Sequence, residues 1–181
     1  MNKNIRVIHH SPVATLGGIL LSGKLLPKST LAGLASCRRN RLLFFLPRSF
    51  AQMGIFGIFD SDIEKWKNNS QIWKYLIRDW MSQNHSEQSN GKIAKITFEL
   101  TDQDDVYVLD ENILLVFTEK IWKTSSFWDK LRLIFELRKV SINYVNTKIK
   151  LVDYKNDYVL PVVFIRNEIP AGRITHEILD L

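Results

Sequence analysis

Cys37 is the only cysteine in this chain of 181 residues. An intrachain disulfide is therefore impossible, and a zinc site built on several thiolates is excluded. The fold must rest on a hydrophobic core, and 45% of the residues are hydrophobic, including ten Phe, five Trp and five Tyr. Because chains of this length usually form one domain, we predict a single domain over residues 1–181. A lone thiol fits a reducing compartment, which is either the cytoplasm or the cytoplasm of a target cell into which the protein is delivered.

The charge balance is 25 Lys and Arg against 19 Asp and Glu, a net charge of +6. This excess is either ordinary solubility charge or an affinity for nucleic acid and acidic surfaces. Residues 38–41 (RRNR) allow the same choice, between a solvated turn and a phosphate contact. No stretch approaches the roughly 20 apolar residues that a spanning helix needs, so no membrane partner is expected.

Local patterns predict an α+β fold. Residues 4–10 predict a strand that Pro12 ends, and residues 13–22 show helical spacing before Gly23, a C-cap glycine. A buried strand is predicted at 42–46 (LLFFL). Ser49 is a candidate cap for a short helix that holds Met53, Phe56 and Phe59, and two glycines weaken this prediction. Two longer helices are predicted at 62–81, with Trp66, Trp73 and Trp80 on one core face, and at 122–138, with a capping box from Ser126. Further strands are predicted at 92–100, 106–109, 113–117, 140–152, 158–166 and 174–179.

The common catalytic motifs are absent: there is no Walker loop, no G-x-G-x-x-G, no His-Glu-x-x-His and no G-x-S-x-G. His9 and His10 are adjacent on a predicted strand, so they point to opposite faces and cannot chelate one ion from the same side. No metal site is predicted. A Cys37–His9 nucleophile–base pair has no local support, and we interpret Cys37 as an inert buried thiol.

The segment His9-His10-Ser11-Pro12 precedes a helical pattern made of Leu16, Ile19, Leu20, Gly23 and Leu25. It resembles the opening of ADP-ribosyltransferases of the diphtheria-toxin and poly(ADP-ribose) polymerase branch, which includes bacterial toxins that modify DNA. There a strand ends in His-x-Thr/Ser, and the two side chains hold the adenosine ribose and the nicotinamide end of NAD. His9 and Ser11 match these positions, and their spacing of two puts both on one side of a strand.

Residues 161–174 (PVVFIRNEIPAGRI) are similar to the closing strand of many such enzymes, in which a glutamate precedes several apolar residues and an Ile-Pro. That glutamate stabilises the oxocarbenium-like transition state. Aligned on Ile169-Pro170, its position falls on Val162, so the motif lacks its carboxylate. Glu168 has the same strand parity but lies about 20 Å further along an extended chain.

The resemblance extends to residues 42–49, where Phe45 and Ser49 are candidates to contact nicotinamide, and to residues 96–110, similar to the family's mid-chain strand pair. It implies two small, mostly antiparallel sheets that form an NAD cleft flanked by helices. The cofactor-binding residues would be His9, Ser11, Phe45 and Ser49. The catalytic residues would be His9 and Glu168.

The function implied is that of an NAD-dependent mono-ADP-ribosyltransferase-like toxin or effector, with NAD as its substrate. The acceptor would be a nucleic acid or a protein, and the +6 charge favours nucleic acid. An antitoxin or chaperone is a further expected partner. The alternative, favoured by Val162, is a catalytically inactive module on the same fold that binds a nucleotide, RNA or a protein partner. A third hypothesis is an adaptor with an unrelated α+β fold.

Overall fold

A computed structural model of the chain describes residues 5–29, 53–67, 92–123 and 126–180. Several predictions fall outside these residues: the strand at 42–46, the candidate site residues Phe45 and Ser49, the thiol of Cys37, and the helix beyond residue 67. These stay predictions.

The described residues form an α+β domain built on one large antiparallel sheet. Its strands run in the order β10-β5-β1-β4-β8-β6-β7, β3 pairs with β4 off this path, and β2 and β9 form a separate two-stranded sheet. The strands are β1 (Arg6–Pro12), β2 (Lys24–Leu25), β3 (Lys28–Ser29), β4 (Met53–Phe59), β5 (Lys92–Glu99), β6 (Val106–Asp110), β7 (Ile149–Lys150), β8 (Pro161–Ile165), β9 (Ile169–Pro170) and β10 (Ile174–Asp180).

The helices of the described part are α1 (Val13–Ser22), α2 (Ile63–Lys67), α3 (Asn112–Lys123) and α4 (Phe127–Asn146). Short 3-10 turns cover Asp60–Asp62, Leu151–Asp153 and Ala171–Arg173. Within the described ranges, no helix combines the length and the apolar character needed to cross a membrane.

The large sheet has a weak point between β1 and β4, which we call the seam. There the two strands share only two residue pairs, Val7 with Phe59 and Ile8 with Ile58. On its other edge β1 pairs with β5 over seven residues. The sheet therefore divides into a three-strand half, β10-β5-β1, and a half built on β4-β8-β6-β7.

One side of the sheet, which we call the core face, carries the main hydrophobic core. Strand alternation puts the odd-numbered residues of β1, β4 and β8 on it, together with the even-numbered residues of β5 and β6. Leu16 and Ile19 of α1 pack onto this face. The large-sheet residues of the cluster are Val7, Ile55, Phe59, Ala94, Ile96, Phe98, Val106, Val108, Val163 and Ile165, and Leu25 and Ile169 of the small sheet complete it together with the α1 residues. On the opposite face, Phe164 and Leu109 pack with Tyr144 of α4.

The N-terminal prediction is confirmed. The helix α1 covers Val13–Ser22, and Gly23 ends it in the left-handed conformation at φ 72, with its N–H directed at the carbonyls of Ile19 and Leu20. Only a residue without a Cβ adopts that φ at no cost. Pro12 ends β1 and holds the N-cap position, where no side-chain cap bond forms.

The helix predicted at 53–59 is wrong, because these residues form β4. Its glycines are required for sheet packing: a Cβ on Gly54 would lie 2.0 Å from the ring of Phe164, and one on Gly57 would lie 2.3 Å from Val7. Glycine is a poor helix former, and here close approach of other strands to the backbone decides the structure.

The strand predicted at 113–117 is wrong, since these residues belong to helix α3. The strand predicted at 140–152 is wrong over residues 140–146, which belong to α4, whereas Ile149–Lys150 do form a strand, β7. A short apolar run does not by itself distinguish a strand from a helix. The second long helix begins at Phe127, five residues beyond the predicted start at Trp122 and after a break from α3. Ser126 is its N-cap as predicted, but makes no side-chain cap bond.

Candidate functional site

His9 lies where the seam opens. The β1–β4 ladder ends at Ile8, and the next residue spans the gap with its side chain: Nδ1 of His9 is 2.7 Å from the carbonyl oxygen of Phe56. Since a carbonyl oxygen only accepts, Nδ1 must carry the hydrogen, and in a neutral ring Nε2 is then an acceptor. The imidazole is half-buried, with one nitrogen fixed by the backbone of β4.

Ser11 lies two residues further along β1 and shares the core-face side with His9 by strand alternation. It pairs with Ala94 of β5, and only 4% of its surface is exposed. The predicted pair therefore lies on one side of one strand. Of the two, His9 is the more accessible to a ligand.

His10 faces the other side of the sheet and is 8% exposed, with Nδ1 buried and without a hydrogen-bond partner. Burial above all, together with the charges of His9 and Lys95, lowers the pKa of His10 to about 4. Glu177 acts in the opposite direction. The register aligns His10 with Lys95 and Lys95 with Glu177, whose Oε1 accepts from Lys95 Nζ at 2.5 Å. His10 is thus a neutral, buried group at neutral pH.

Val162, the position aligned with the family's glutamate, is buried on β8 at 5% exposure and pairs with Leu109. It alternates with Val163, which belongs to the core-face cluster together with Val7. Val162 therefore points away from the face that His9 occupies. A carboxylate at this position would be directed toward the wrong side of the sheet.

Glu168 lies beyond the end of β8, just before β9. Its Oε2 is 2.8 Å from Nζ of Lys24, and the side chain is 51% exposed. Strands β1 and β8 both run antiparallel to β4, so they point the same way and end at the same end of the sheet. Glu168 and Ser11 are therefore at the same end, but the Glu168 carboxylate is paired with a cation at the small sheet formed by β2 and β9.

A buried carboxylate fixes the loop that carries Glu168. Asp104 accepts from both terminal nitrogens of Arg173, at 3.0 and 2.5 Å, and from Asn167 Nδ2 at 2.9 Å. Asn167 also accepts from the backbone N–H of Asp105 and donates to the carbonyl of Glu168. Burial raises the pKa of Asp104, but the hydrogen bonds from Arg173, Asn167 and Thr101 outweigh it and lower the pKa to about 2.

No family model matches this chain, and neither the curated proteins nor the solved structures give a significant match.

Among the residues that the structure describes, no group of three or more His, Cys, Asp or Glu could hold a metal ion.

Sequence reasoning missed Gly57, Lys24 and the buried state of His10. The glycine was detectable, because Gly54 and Gly57 interrupt an apolar run with two poor helix formers. The Lys24–Glu168 pair joins residues 144 positions apart in the chain, so no local pattern could have shown it.

Proposed function

We propose that this chain is an ADP-ribosyltransferase-like module that binds NAD beside His9 and does not transfer ADP-ribose efficiently. The cleft would open at the seam, with the two halves of the large sheet as its walls. The observation that carries the proposal is the His9–Phe56 bond of 2.7 Å at the point where β1 and β4 separate.

This bond supports binding because it fixes the ring and its tautomer. A neutral imidazole held through Nδ1–H presents Nε2 as an acceptor, which suits a ribose hydroxyl. A ligand group that meets a fixed partner loses less conformational entropy on binding. Ser11 lies on the same side of β1, so it would be the second contact once the cleft admits the ligand.

Inefficient transfer follows from the two positions at which a catalytic carboxylate is expected. Val162 has no charge and belongs to the face opposite His9. Glu168 is paired with Lys24 at 2.8 Å, so part of its negative charge is already compensated. A cation developing on ribose needs a carboxylate directed at it, and each 1.36 kcal/mol of lost transition-state stabilisation slows the reaction about tenfold.

A second candidate is an active mono-ADP-ribosyltransferase, NAD-dependent, in which Glu168 supplies the carboxylate. It is favoured by the common direction of β1 and β8, which brings Glu168 to the end of the sheet where Ser11 lies. The acceptor would be a nucleic acid or a protein, and an antitoxin or chaperone would be a further partner.

The binding test measures the melting temperature of the purified chain with and without NAD, followed by calorimetric titration. We expect NAD to stabilise the wild type and His176→Ala, which alters an exposed histidine on β10, but not His9→Ala. If NAD stabilises none of them, the proposal is wrong and the unrelated-adaptor hypothesis gains. If NAD stabilises all three equally, it binds away from His9 and the proposed site is wrong.

The transfer test incubates the protein with labelled NAD and, separately, DNA, RNA and cell lysate. We expect no labelled product from the wild type. Labelled product that disappears in Glu168→Gln but persists in His176→Ala would instead establish the second candidate. Since Glu and Gln have nearly the same shape, that comparison isolates the charge.

A further inference from the structure

Helix α4 carries a row of large apolar side chains on its outer side. Trp128, Phe135 and Ile142 are spaced by seven residues and are 76%, 79% and 43% exposed. The inner side of the same helix buries Leu133 and Tyr144 at 4% and 3% exposure. At 100° per residue, the three exposed side chains fall within about 40° of one another and opposite the buried pair. We call this row the outer stripe.

Charged side chains alternate in sign along one flank of the outer stripe. In chain order they are Asp129, Arg132, Glu136 and Lys139. Asp129, Arg132 and Lys139 are exposed, whereas Glu136 is half-buried and bound by Lys120 of α3 at 2.7 Å. The four α4 side chains of this flank are two acids and two bases, and Lys120 and Lys123 of α3 line the groove beside them.

The order of these charges is self-complementary. Asp129 and Lys139 are each five residues from position 134, and Arg132 and Glu136 are each two residues from it. Rotating the helix end for end about that position puts an acid opposite a base at all four places. Phe135, the middle of the outer stripe, is one residue away from the same point.

We propose that the outer stripe is the interface of a homodimer in which two α4 helices pack antiparallel around Phe135. With the axis at position 134, the two Phe135 rings lie on either side of it, and Trp128 of each copy lies within two residues of Ile142 of the other. Asp129 then pairs with Lys139 of the second copy, and Arg132 pairs with Glu136 of the second copy. This is an isologous contact, in which one patch recognises itself.

A second copy fits this surface better than an anionic membrane or a nucleic acid does. Those partners select surfaces for an excess of Lys and Arg and repel carboxylates, whereas the α4 flank places an acid beside each base. An apolar row with a seven-residue repeat and alternating flanking charges is typical of helix–helix pairing. Arg132 is 81% exposed and makes only a long ion pair, of 3.6 Å, with its own Glu136, so its guanidinium can exchange that partner for Glu136 of a second copy.

An interface of one helix per copy belongs to the small size class, below about 1,200 Å² of total buried surface. We therefore expect a reversible dimer whose population depends on protein concentration. Sedimentation equilibrium of the full-length chain over a wide concentration series measures the dissociation constant directly.

The first test is Phe135→Ser. Because Phe135 is mostly exposed, the variant should keep the wild-type melting temperature while its dimer dissociates at least tenfold more readily. The matched control is Leu21→Ser on α1, which removes a side chain that is 91% exposed and should leave the dissociation constant unchanged. A wild-type chain that stays monomeric throughout the series overturns the proposal, as does an unchanged dimer in Phe135→Ser.

The second test is a charge swap that leaves the apolar row intact. Asp129→Lys places two cations opposite each other in both symmetric pairs and should weaken the dimer at least fivefold. Adding Lys139→Asp reverses the pairs and should restore the wild-type constant. Failure of the double variant to recover overturns the antiparallel register. Phe135-dependent binding to vesicles of anionic phospholipid without self-association would overturn the homodimer in favour of a membrane surface.

Discussion

Val7 occupies the space that a side chain on Gly57 would need. A Cβ on Gly57 would lie 2.3 Å from Cγ1 of Val7 and 3.1 Å from the carbonyl oxygen of Ile8. Strands β1 and β4 are therefore in close contact at Gly57. At the neighbouring residue, Phe56, the ladder between these two strands has ended, and the Phe56 carbonyl accepts a hydrogen bond from His9 instead. The geometry of the candidate site depends on a residue without a side chain.

Gly57→Ala should push β1 away from β4 and lower the free energy of unfolding by about 1 to 3 kcal/mol, as overpacking does. It should also weaken NAD stabilisation, because His9 would lose its fixed acceptor. Urea unfolding measures the first effect and calorimetry the second. The control is Gly17→Ala on α1, where no atom lies within 4 Å of an added Cβ and a gain of about 0.5 to 1 kcal/mol is expected. Wild-type stability of Gly57→Ala would contradict this account of the seam.

His10→Leu should change how stability depends on pH. The pKa of His10 falls from 6.5 to about 4 on folding, so the unfolded chain binds the proton more tightly. The native state is therefore destabilised as the pH falls from about 6.5 to about 4, by roughly 3 kcal/mol over the whole window. The leucine variant should lose this dependence and gain stability at neutral pH, since it removes a buried, unpaired nitrogen. Parallel pH profiles of the two proteins would show that His10 is not buried as described.

Asp104→Asn should remove a second pH dependence, at lower pH. The native pKa of Asp104 is depressed to about 2, so its stabilisation is complete above about pH 4 and is lost as the pH falls toward 2. Solvent screening at the partly exposed Arg173 limits the effect to at most about 2 kcal/mol. Acid unfolding followed by circular dichroism checks the window. A comparison with Asp157→Asn, an exposed aspartate, controls for net charge.

Val162→Glu introduces a glutamate at the position that the resemblance to ADP-ribosyltransferases assigns to one, but should not produce transfer, because position 162 faces away from His9. The new carboxylate would be buried beside Leu109, so the free energy of unfolding should drop by at least about 3 kcal/mol at pH 7. Burial raises the pKa of such a group, so the loss should shrink as the pH falls below that raised value. Val162→Gln should show a loss without this pH dependence. Transferase activity in Val162→Glu would put position 162 in the cleft and refute the assigned face.

How much of the structure can be predicted from the sequence depends on how far apart in the chain the interacting residues lie. The unit β1-α1 could be read from residues 4–23, because proline lacks an N–H donor, apolar spacing follows the helix, and only glycine adopts φ 72 freely. The alternation that separates His9 from His10 is equally local. These features depend on bonds between residues a few positions apart.

The tertiary structure decided everything that depends on partners distant in the chain. Residues 53–59 form a strand because Phe164 and Val7 pack on their glycines, and α3 is a helix because its apolar side chains pack inward against α4 and the sheet. The face that Val162 occupies follows from the strand order of the large sheet. The pairing of Glu168 with Lys24 follows from the pairing of β2 with β9 in the small sheet. Such contacts are set by the packing of the whole domain, and no short stretch of sequence contains the information to specify them.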